Sequence, residues 1–447
     1  MSVFELNFET DYKSEDKMMN RTYIKDVTPG SRQAICGFVE NLRNKRTMAF
    51  LVIRDITGKL QVTLEKEKYP ELAELVDQLT IHSVVRVEGE VVANEYVKMG
   101  GIEMLPDSLT IHSIADALPI KDDSEIDSKM DFRWIDLRRE QNHLMLQMQT
   151  TMTAAMRELL VERNFVEIHT PKLIGAASES GSEVFEVKYF DTKAYLAQSP
   201  QFYKQMAMAS GLDRIFETGP VFRAEKSYTN KHATEFTGFD LEFSYVTSCE
   251  EVMQMEEELL AYAFGKIAEK HGEDIKRLFD KDVIVPTVPF PRIKLKDLYA
   301  ELEAMYGYTV AEDAKGDLTT EAEHLCAKYS MEKYGSEFLF VTDYDAKERA
   351  FYHMRDEQGV PMGYDLIWRG CEITTGAVRE HRFDVLKKQA DEKGLAADVE
   401  FYLQFFRYGC PPHGGFGLGI DRMTMLFLGL SIKEAEFLFR GPNRLTP

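Results

Sequence analysis

The hydrophobic period of this 447-residue chain changes along its length, and that change limits the kinds of domain it can form. From about residue 20 to 113, apolar and polar residues alternate at a period of two, as in MAFLVIR and KLQVTLEK, which is typical of strands with one buried face. Thr57-Gly58 separates two such runs where a hairpin turn belongs, and LAELVDQL (72–79) predicts a short helix. Four or five strands and one helix in about 90 residues indicate a small closed β-barrel.

A different pattern follows this barrel. Segment 114–130 contains Pro119 among charged and small polar residues and is interpreted as a linker. From Leu144 to Leu160, methionine-rich apolar residues recur at helical spacing, which predicts a long amphipathic helix whose apolar stripe is core or dimer interface. FVEIHTPKL then predicts a strand that ends at Pro171, and strands alternate with helices to residue 447. We expect an all-β domain over 1–113, a linker over 114–130 and one large α/β domain over 131–447.

Cysteine usage and the distribution of apolar residues argue against several classes of protein. Five widely spaced cysteines with no Cys-x-x-Cys pair argue against a disulfide framework or a structural zinc site. No run approaches the roughly 18–20 apolar residues of a membrane helix, and MSVFELNFETDYKSED lacks the pattern of a secretory signal, so we expect a soluble cytoplasmic protein with no membrane partner.

The net charge of −21 is unfavourable for nucleic acid, but segment 31–60 has the opposite sign. It carries six basic side chains against two acidic ones, Glu40 and Asp55. This basic segment is either an ordinary solvated face or part of a surface for single-stranded nucleic acid, which such barrels often bind.

Three segments of the large domain carry candidate chemistry. In GPVFRAEKSYTNKHATEFTGFDLEFSYV (219–246), charged residues alternate with Phe222, Phe236, Phe239 and Phe243, which predicts a hairpin with its charges on one face. A surface hairpin gives the same pattern, but the rigid fork of Arg223 suits a phosphate or carboxylate.

The second segment, YDLIWRGCEITTGAVREHRFD (364–384), contains Asp365 and Glu372 seven residues apart. An odd separation puts two side chains on opposite faces of one strand, so a bulge near Gly370 or separate chain paths would be needed to bring them together. With the Thr375 hydroxyl they would be hard oxygen ligands for Mg²⁺, and the alternative is a salt-bridged surface strand.

The third segment is GCPPHGGFGLGIDRMTMLFLGL (409–430). Its glycines permit close backbone approach, but it matches neither of the common glycine-rich nucleotide loops. Arg422 precedes an apolar run, where a cation is costly unless it meets an anion.

Taken together, the helix 144–160 with FVEIHTP, the run FRAE…HATEF and the run GFGLGIDR resemble the three ordered motifs of class II aminoacyl-tRNA synthetases. The resemblance is to the aspartate, asparagine and lysine subgroup, and most closely to archaeal and eukaryotic-type aspartyl-tRNA synthetases. It covers nearly the whole chain, because the barrel resembles the anticodon-binding OB domain. It implies a class II catalytic domain, an antiparallel sheet flanked by helices in an α/β (α+β) arrangement, and a homodimer formed through the first motif.

The resemblance also implies roles for individual residues. Arg223 and Arg422 would be catalytic, holding the α- and γ-phosphates of ATP, and Arg223 would also hold the amino-acid carboxylate. Asp365, Glu372 and Thr375 would bind Mg²⁺. The ATP site as a whole would comprise Arg223, Ala224, Glu225, Lys231, His232, Ala233, Phe236, Glu372, Gly419, Ile420, Asp421 and Arg422.

The amino-acid substrate is inferred from AYLAQSPQFYKQM (194–206). Aspartyl enzymes have a lysine where Lys204 stands, and it pairs with the substrate β-carboxylate together with an arginine that matches Arg379. Two cations favour an anion and penalise asparagine and lysine. The aspartate site would comprise Glu179, Gln201, Lys204, Arg223, Thr375 and Arg379. By itself, Lys204 would be interpreted as an exposed helix lysine.

The barrel would read the anticodon through Phe50 and Gln61, although Phe50 could instead be barrel core. Glu40 stands where archaeal relatives often have tryptophan, which leaves open whether the partner is tRNA(Asp) alone or tRNA(Asn) as well. The alternatives to an aspartate–tRNA ligase are an asparagine–tRNA ligase, an adenylating paralogue that makes asparagine, and a non-catalytic RNA-binding paralogue. The family usually shows Arg-His at Lys231-His232 and serine at Thr375.

Overall fold

A computed structural model describes residues 21–175, 183–226, 229 and 231–447. The chain divides into two compact units, of which the first ends at Ser124 and the second begins at Glu125. Within the described ranges, no helix combines the length and the apolar character that a bilayer crossing requires.

The first unit contains the barrel that the alternating pattern predicts. Its sheet closes in the order β1-β2-β3-β5-β4, and the Ala49, Leu51 and Ile53 side chains of β2 point into the apolar interior while alternate residues face outward. Thr57-Gly58 lies between β2 and β3, as the sequence predicts. The elements are β1 (Arg32–Asn44), β2 (Met48–Arg54), β3 (Lys59–Glu65), α1 (Pro70–Gln78), β4 (Val84–Ala93) and β5 (Ile102–Ser113).

The second unit is built of helices around a large sheet. Its helices are α2 (Ile126–Asp131), α3 (Arg133–Asp136), α4 (Glu140–Glu162), α5 (Gln201–Ala209), α6 (Cys249–Phe279), α7 (Leu295–Tyr306), α8 (Thr320–Tyr334), α9 (Phe383–Glu392), α10 (Glu400–Leu403), α11 (Ile420–Leu428) and α12 (Ile432–Ala435). Its strands are β6 (Val166–Glu167), β7 (Leu173–Ile174), β8 (Glu186–Tyr189), β9 (Thr192–Leu196), β10 (Arg214–Phe222), β11 (Glu235–Ser244), β12 (Arg292–Lys294), β13 (Phe338–Thr342), β14 (Gly363–Trp368), β15 (Cys371–Arg379) and β16 (His413–Gly419).

Eight of these strands form one sheet in the order β12-β13-β14-β15-β16-β11-β10-β6. All pairs from β13 to β10 are antiparallel, and the outermost pair at each end is parallel. Because side chains alternate along a strand, the sheet has two chemically different faces. One face carries apolar residues such as Phe239, Leu241 and Phe416, and we call it the core face; the opposite face carries the charged residues described below.

Helices α4 and α6 pack against the core face. The methionine stripe of α4 is part of this core, since Met145, Met148, Met152 and Met156 are fully buried there. The strand predicted for FVEIHTPKL is largely wrong, because only Val166–Glu167 and Leu173–Ile174 pair. Pro171 lies between these two pieces and has no N–H to donate to a ladder.

One buried carboxyl group lies in this core. Glu256 of α6 is completely buried and accepts a hydrogen bond of 2.7 Å from the Tyr364 hydroxyl on β14. Burial raises the pKa of Glu256 from 4.5 to about 8, so the folded protein keeps a proton that the unfolded chain releases.

This carboxyl makes stability depend on pH. A folded-state pKa above the unfolded one means that stability falls as pH rises from 4.5 to about 8 and is level above that. We expect Glu256→Gln to remove this component. Between pH 6 and pH 9, the melting temperature of the wild type should fall relative to that of the variant by on the order of 5 °C. Differential scanning calorimetry checks this, with Glu273→Gln, an exposed carboxyl on the same helix, as the control that should follow the wild type.

Candidate active site

The candidate active site lies on the charged face of the sheet, where β11, β15 and β16 meet. Residues Asp240 and Glu242 of β11 point away from the core face, and glycines of β16 lie opposite them. A Cβ at Gly417 would stand 2.5 Å from Asp240 Oδ1, and one at Gly415 would stand 2.6 Å from Glu242 Oε2. The glycine run is therefore a strand that leaves room for two carboxylates, rather than a loop around a nucleotide.

Lys204 extends from α5 into this face and is 1% exposed, so the interpretation as an exposed helix lysine is wrong. Its ammonium nitrogen lies 3.0 Å from Asp240 Oδ1 and 3.4 Å from Glu242 Oε2. It also donates to the Phe416 carbonyl at 3.2 Å. A buried ammonium group needs such partners, because burial of an unpaired charge costs several kcal/mol (about 3–5 when one partner of a buried pair is removed).

Arg379 lies on the other side of Glu242. Its Nε donates to Glu242 Oε1 at 3.0 Å and its Nη2 donates to the Gly415 carbonyl at 3.0 Å. Glu242 is completely buried; that burial opposes ionisation, but the positive charges of Arg379 and Lys204 outweigh it and lower the pKa of Glu242. The four charges of Lys204, Arg379, Asp240 and Glu242 therefore balance.

A cavity of about 200 Å³ opens beside this cluster. Most residues that the sequence assigns to the site line it: Gln201, Lys204, Arg223, Glu225, Lys231, His232, Ala233, Phe236, Glu372, Thr375, Arg379, Gly419, Asp421 and Arg422. Three do not: Ile420 belongs to the apolar core, Ala224 donates its N–H to the Glu183 carbonyl, and Asp365 lies behind Thr375. Glu179 is outside the described residues.

The hairpin of β10 and β11 carries further cavity residues. The Arg223 guanidinium carbon lies 5.5 Å from the centre of the Phe236 ring, and its side chain is about half exposed. The predicted separation of charges and phenylalanines holds only in part. Because side chains alternate along β11, its even-numbered residues lie on the charged face with Asp240. Phe236 therefore shares that face, whereas Glu235 lies on the other face and is exposed.

The carboxylates of Asp365 and Glu372 come together because they lie on two neighbouring strands. Asp365 on β14 pairs with Thr375 on β15, and the register then shifts so that Ile367 pairs with Glu372. This bulge, which skips Ile373, turns Glu372 onto the face of Asp365. The Thr375 hydroxyl lies 2.9 Å from Asp365 Oδ1 and 3.1 Å from Glu372 Oε1. The sequence analysis offered a bulge near Gly370 or separate chain paths as alternatives, and the structure shows both, with the bulge at Ile373.

Burial raises the pKa of Glu372 to about 7, and the negative charge of Asp365 reinforces this shift. Two carboxyls and a hydroxyl at this spacing are hard oxygen donors of the kind that a divalent cation takes. Arg422 in the first turn of α11 donates from Nη1 to the Glu372 carbonyl at 2.7 Å, so a cation also lies beside this group.

Sequence reasoning missed Arg349. Its guanidinium forms a bidentate pair with Asp365, with Nη1 2.8 Å from Oδ1 and Nη2 2.5 Å from Oδ2. The guanidinium carbon also lies 3.5 Å from the centre of the Tyr344 ring. The sequence held a signal, since Asp365 stands in the apolar run YDLIW (364–368), where a buried carboxylate needs a counter-charge. Nothing in the sequence indicates which arginine supplies it.

In the barrel, Phe50 and Gln61 lie on the outer surface of β2 and β3. Phe50 pairs with Thr63, two residues from Gln61, and is half-buried on the face opposite the apolar interior, which excludes the core interpretation. Arg43 of β1 pairs directly with Phe50, with its guanidinium carbon 5.4 Å from the ring centre. The Gln61 amide donates to Thr63 and to Glu103, each at 3.1 Å.

Only some of the six basic side chains of segment 31–60 remain available to a nucleic acid, because the others form ion pairs within the barrel. Arg54 and Lys59 both pair with Glu40, at 2.8 and 2.6 Å. Arg32 pairs with Glu88 and Asp107 on other strands. Arg43 near the end of β1 and Lys45 and Arg46 in the following turn are exposed, and among the residues that the structure describes none of the three forms an ion pair.

Comparisons with known proteins agree with this architecture. A family described as tRNA synthetases class II (D, K and N) matches residues 125–439, and a family described as an OB-fold nucleic acid binding domain matches residues 34–111. The chain therefore belongs to the class II tRNA synthetases of the D, K and N group. It is an aminoacyl-tRNA synthetase, an enzyme class that uses ATP.

Individual relatives are similar over nearly the full length. An aspartate–tRNA(Asp/Asn) ligase of Methanopyrus kandleri is 40% identical, covering 96% of this chain and 100% of the relative. An aspartate–tRNA(Asp) ligase of Pyrococcus abyssi is 38% identical with the same coverage. Similar solved structures include an asparaginyl-tRNA synthetase of Pyrococcus horikoshii complexed with asparaginyl-adenylate (TM-score 0.88, 31% identity, 96% of this chain and 100% of that one).

A solved structure described as a putative aspartyl-tRNA synthetase of Leishmania major is also similar (TM-score 0.86, 28% identity, 98% of this chain and 97% of that one). Aspartyl and asparaginyl enzymes thus share the fold. The amino acid must be inferred from the side chains of the pocket.

The Arg349–Asp365 pair allows a stability test. We expect Arg349→Leu to lower the melting temperature by on the order of 10 °C, because it leaves a buried carboxylate without its counter-charge. Arg355→Leu, which breaks an exposed pair with Glu392, should change it by about 2 °C or less. Calorimetry of the two variants checks this, and equal effects would contradict the assignment of Arg349 as the counter-charge of Asp365.

Proposed function

We propose that this protein is an aspartate–tRNA ligase of the cytoplasm. It would activate L-aspartate with ATP to aspartyl-adenylate and pyrophosphate, and then transfer the aspartyl group to the 3′ end of tRNA(Asp). The observation that carries the choice of aspartate is the convergence of Lys204 and Arg379 on one wall of the cavity. The relatives described as aspartate–tRNA ligases support it.

The side-chain carboxylate of aspartate would meet donors that the pocket already holds in place. Nη1 of Arg379 makes no hydrogen bond to any described residue, and Arg379 lines the cavity. Lys204 lies beside it in the same cavity. Asparagine would bring an amide whose N–H groups face two cations, and lysine would bring a third cation, so both are disfavoured. Gln201, Glu179, Arg223 and Thr375 would bind the rest of the amino acid.

ATP would lie along the hairpin of β10 and β11 and the start of α11. Phe236 offers a ring for stacking on adenine, and Arg223 and Arg422 offer guanidinium groups to the phosphates. The remaining proposed contacts, all of which line the cavity, are Glu225, Lys231, His232, Ala233, Glu372, Gly419 and Asp421.

Activation needs positioning and charge stabilisation more than proton transfer. The attacking α-carboxylate of aspartate is already ionised at neutral pH, so no general base is required. Arg223 would orient both the carboxylate and the α-phosphate, and negative charge that develops on the phosphate would meet fixed cations. Glu372 and Thr375, which line the cavity, would hold Mg²⁺ together with Asp365 behind Thr375, and the bound ion would supply positive charge to the phosphates.

The outer surface of the OB barrel suggests a tRNA partner, and exposed apolar residues of α4 and β6 suggest a homodimer. Phe50 would stack on an anticodon base and Gln61 would read a base edge, with Arg43, Lys45 and Arg46 near the phosphates. The relatives include ligases for tRNA(Asp) and for tRNA(Asp/Asn), so tRNA(Asn) is a second candidate substrate. A homodimer would form through α4 and the edge strand β6, where Val161 and Val166 are exposed.

Pyrophosphate exchange tests the activation step directly. With ATP, Mg²⁺ and no tRNA, we expect exchange of labelled pyrophosphate that depends on aspartate, with asparagine and lysine at least about 100-fold less effective. The amide of asparagine would turn N–H donors toward cationic donors, and the ammonium group of lysine would be repelled by them. Exchange that depends on asparagine would indicate an asparagine–tRNA ligase. Folded protein without exchange would indicate a non-catalytic paralogue.

A barrel variant separates tRNA binding from activation. We expect Phe50→Ala to leave pyrophosphate exchange unchanged and to lower kcat/KM for tRNA aminoacylation by about 10- to 100-fold, the loss of one base-stacking contact. Ile81→Ala, which removes an exposed apolar side chain between α1 and β4 of the same barrel, is the matched control and should aminoacylate like the wild type. Normal aminoacylation by Phe50→Ala would exclude Phe50 as an anticodon reader.

A further inference from the structure

Lys231 forms an ion pair with Glu323, a residue to which the family resemblance assigns no role. The family usually has arginine at this position, and the lysine here donates from Nζ to Glu323 Oε2 at 2.8 Å. Glu323 belongs to α8, which lies outside the three motifs, and it is 9% exposed. Lys231 lines the cavity, whereas Glu323 lies behind it.

Helix α8 is held tightly at this point. Thr319 caps its N-terminus by accepting a hydrogen bond of 3.1 Å from the Ala322 N–H. The helix packs on the turn between β14 and β15, where a Cβ on Gly370 would stand 3.1 Å from His324 Cα and 3.4 Å from the Glu323 carbonyl oxygen. Gly370 has a φ of +77°, which other residues rarely adopt. The turn therefore fixes Glu323 beside the hairpin that carries Glu372.

Glu323 also contacts the backbone of Glu372, a second residue that lines the cavity. Glu323 Oε2 lies 3.4 Å from the backbone nitrogen of Glu372, and Arg422 donates to the carbonyl oxygen of the same residue at 2.7 Å. Glu323 thus contacts the backbone N–H of Glu372, while Arg422 bonds the carbonyl oxygen of the same residue. Lys231 and Arg422 both belong to the part of the cavity where the proposed phosphate and Mg²⁺ ligands lie.

A lysine needs such an anchor more than an arginine does. Its ammonium group is a point charge on a flexible four-carbon stem, whereas guanidinium is a rigid fork that is already organised for phosphate. A buried carboxylate can hold one of the three ammonium N–H groups and leave the others free to turn toward a ligand.

We propose that Glu323 is a positioning residue that holds the Lys231 ammonium group toward the β- and γ-phosphates of ATP. This inference rests on the proposed function, because it assumes that ATP occupies the cavity. Glu323 touches neither the substrate nor the metal ligands' carboxylates. It acts through Lys231, and it compensates for the replacement of arginine by lysine.

The first test compares two nucleotides. We expect Glu323→Ala to weaken ATP binding about 10-fold and to change AMP binding less than about 2-fold, since AMP lacks the phosphates that Lys231 would meet. Glu323→Gln, which keeps the size and an acceptor oxygen, should lie between Glu323→Ala and the wild type. Glu321→Gln, an exposed acid on the same helix turn, is the matched control and should bind both nucleotides like the wild type. Isothermal titration calorimetry at fixed Mg²⁺ provides the affinities.

The second test uses kinetics and a double variant. In aspartate-dependent pyrophosphate exchange, Glu323→Ala should raise the KM for ATP about 10-fold with kcat changed less than about 3-fold. In a Lys231→Met background, the same substitution should have no further effect, because the residue through which it acts is gone.

Three results would overturn the proposal: unchanged ATP affinity in both Glu323 variants, equal losses for ATP and AMP, or a full additional loss in the Lys231→Met background. Should Glu323→Ala fail to fold, Glu323→Gln decides between these outcomes. Failure of the proposed function looks different, because the wild-type protein itself would then show no aspartate-dependent exchange.

Discussion

Four charged side chains, Lys204, Asp240, Glu242 and Arg379, are buried together on one face of the sheet, and none could be buried alone. Glu242 is completely enclosed and binds both cations, while Asp240 takes the second bond to Lys204. Removing one partner from such a cluster costs about 3–5 kcal/mol, so the cluster holds α5, β11 and β15 in register as well as shaping the pocket. In the proposed function, recognition of the substrate side chain would depend on cations whose positions are set before the substrate arrives.

The rest of the site depends on the backbone around this cluster. Glycines of β16 leave space for the two carboxylates, and the bulge at Ile373 turns Glu372 toward Asp365. Apolar residues on the core face pack against α4 and α6, so the sheet that carries the charges is supported from behind. A rigid, preorganised face of this kind suits catalysis by positioning and electrostatic stabilisation.

Local pattern was sufficient for the barrel, the α4 helix and the family, because each depends on periodicity or on ordered motifs. It was not sufficient for contacts that depend on tertiary register. The seven-residue spacing of Asp365 and Glu372 could not reveal whether they meet, since the bulge decides it. Arg349 and Glu323 come from segments with no motif, and only the fold brings them to Asp365 and Lys231. Lys204 has the local pattern of an exposed helix residue, and its burial follows from the packing of α5 on β11.

The most direct test of the account is the ratio of kcat/KM for aspartate to kcat/KM for asparagine in pyrophosphate exchange, compared between Lys204→Gln and the wild type. The ratio is measured within one protein preparation, so a general loss of stability cancels. If buried cations select the substrate carboxylate, the ratio should fall by at least about 100-fold in the variant. A ratio equal to that of the wild type would contradict the claim that this charge cluster determines the amino acid.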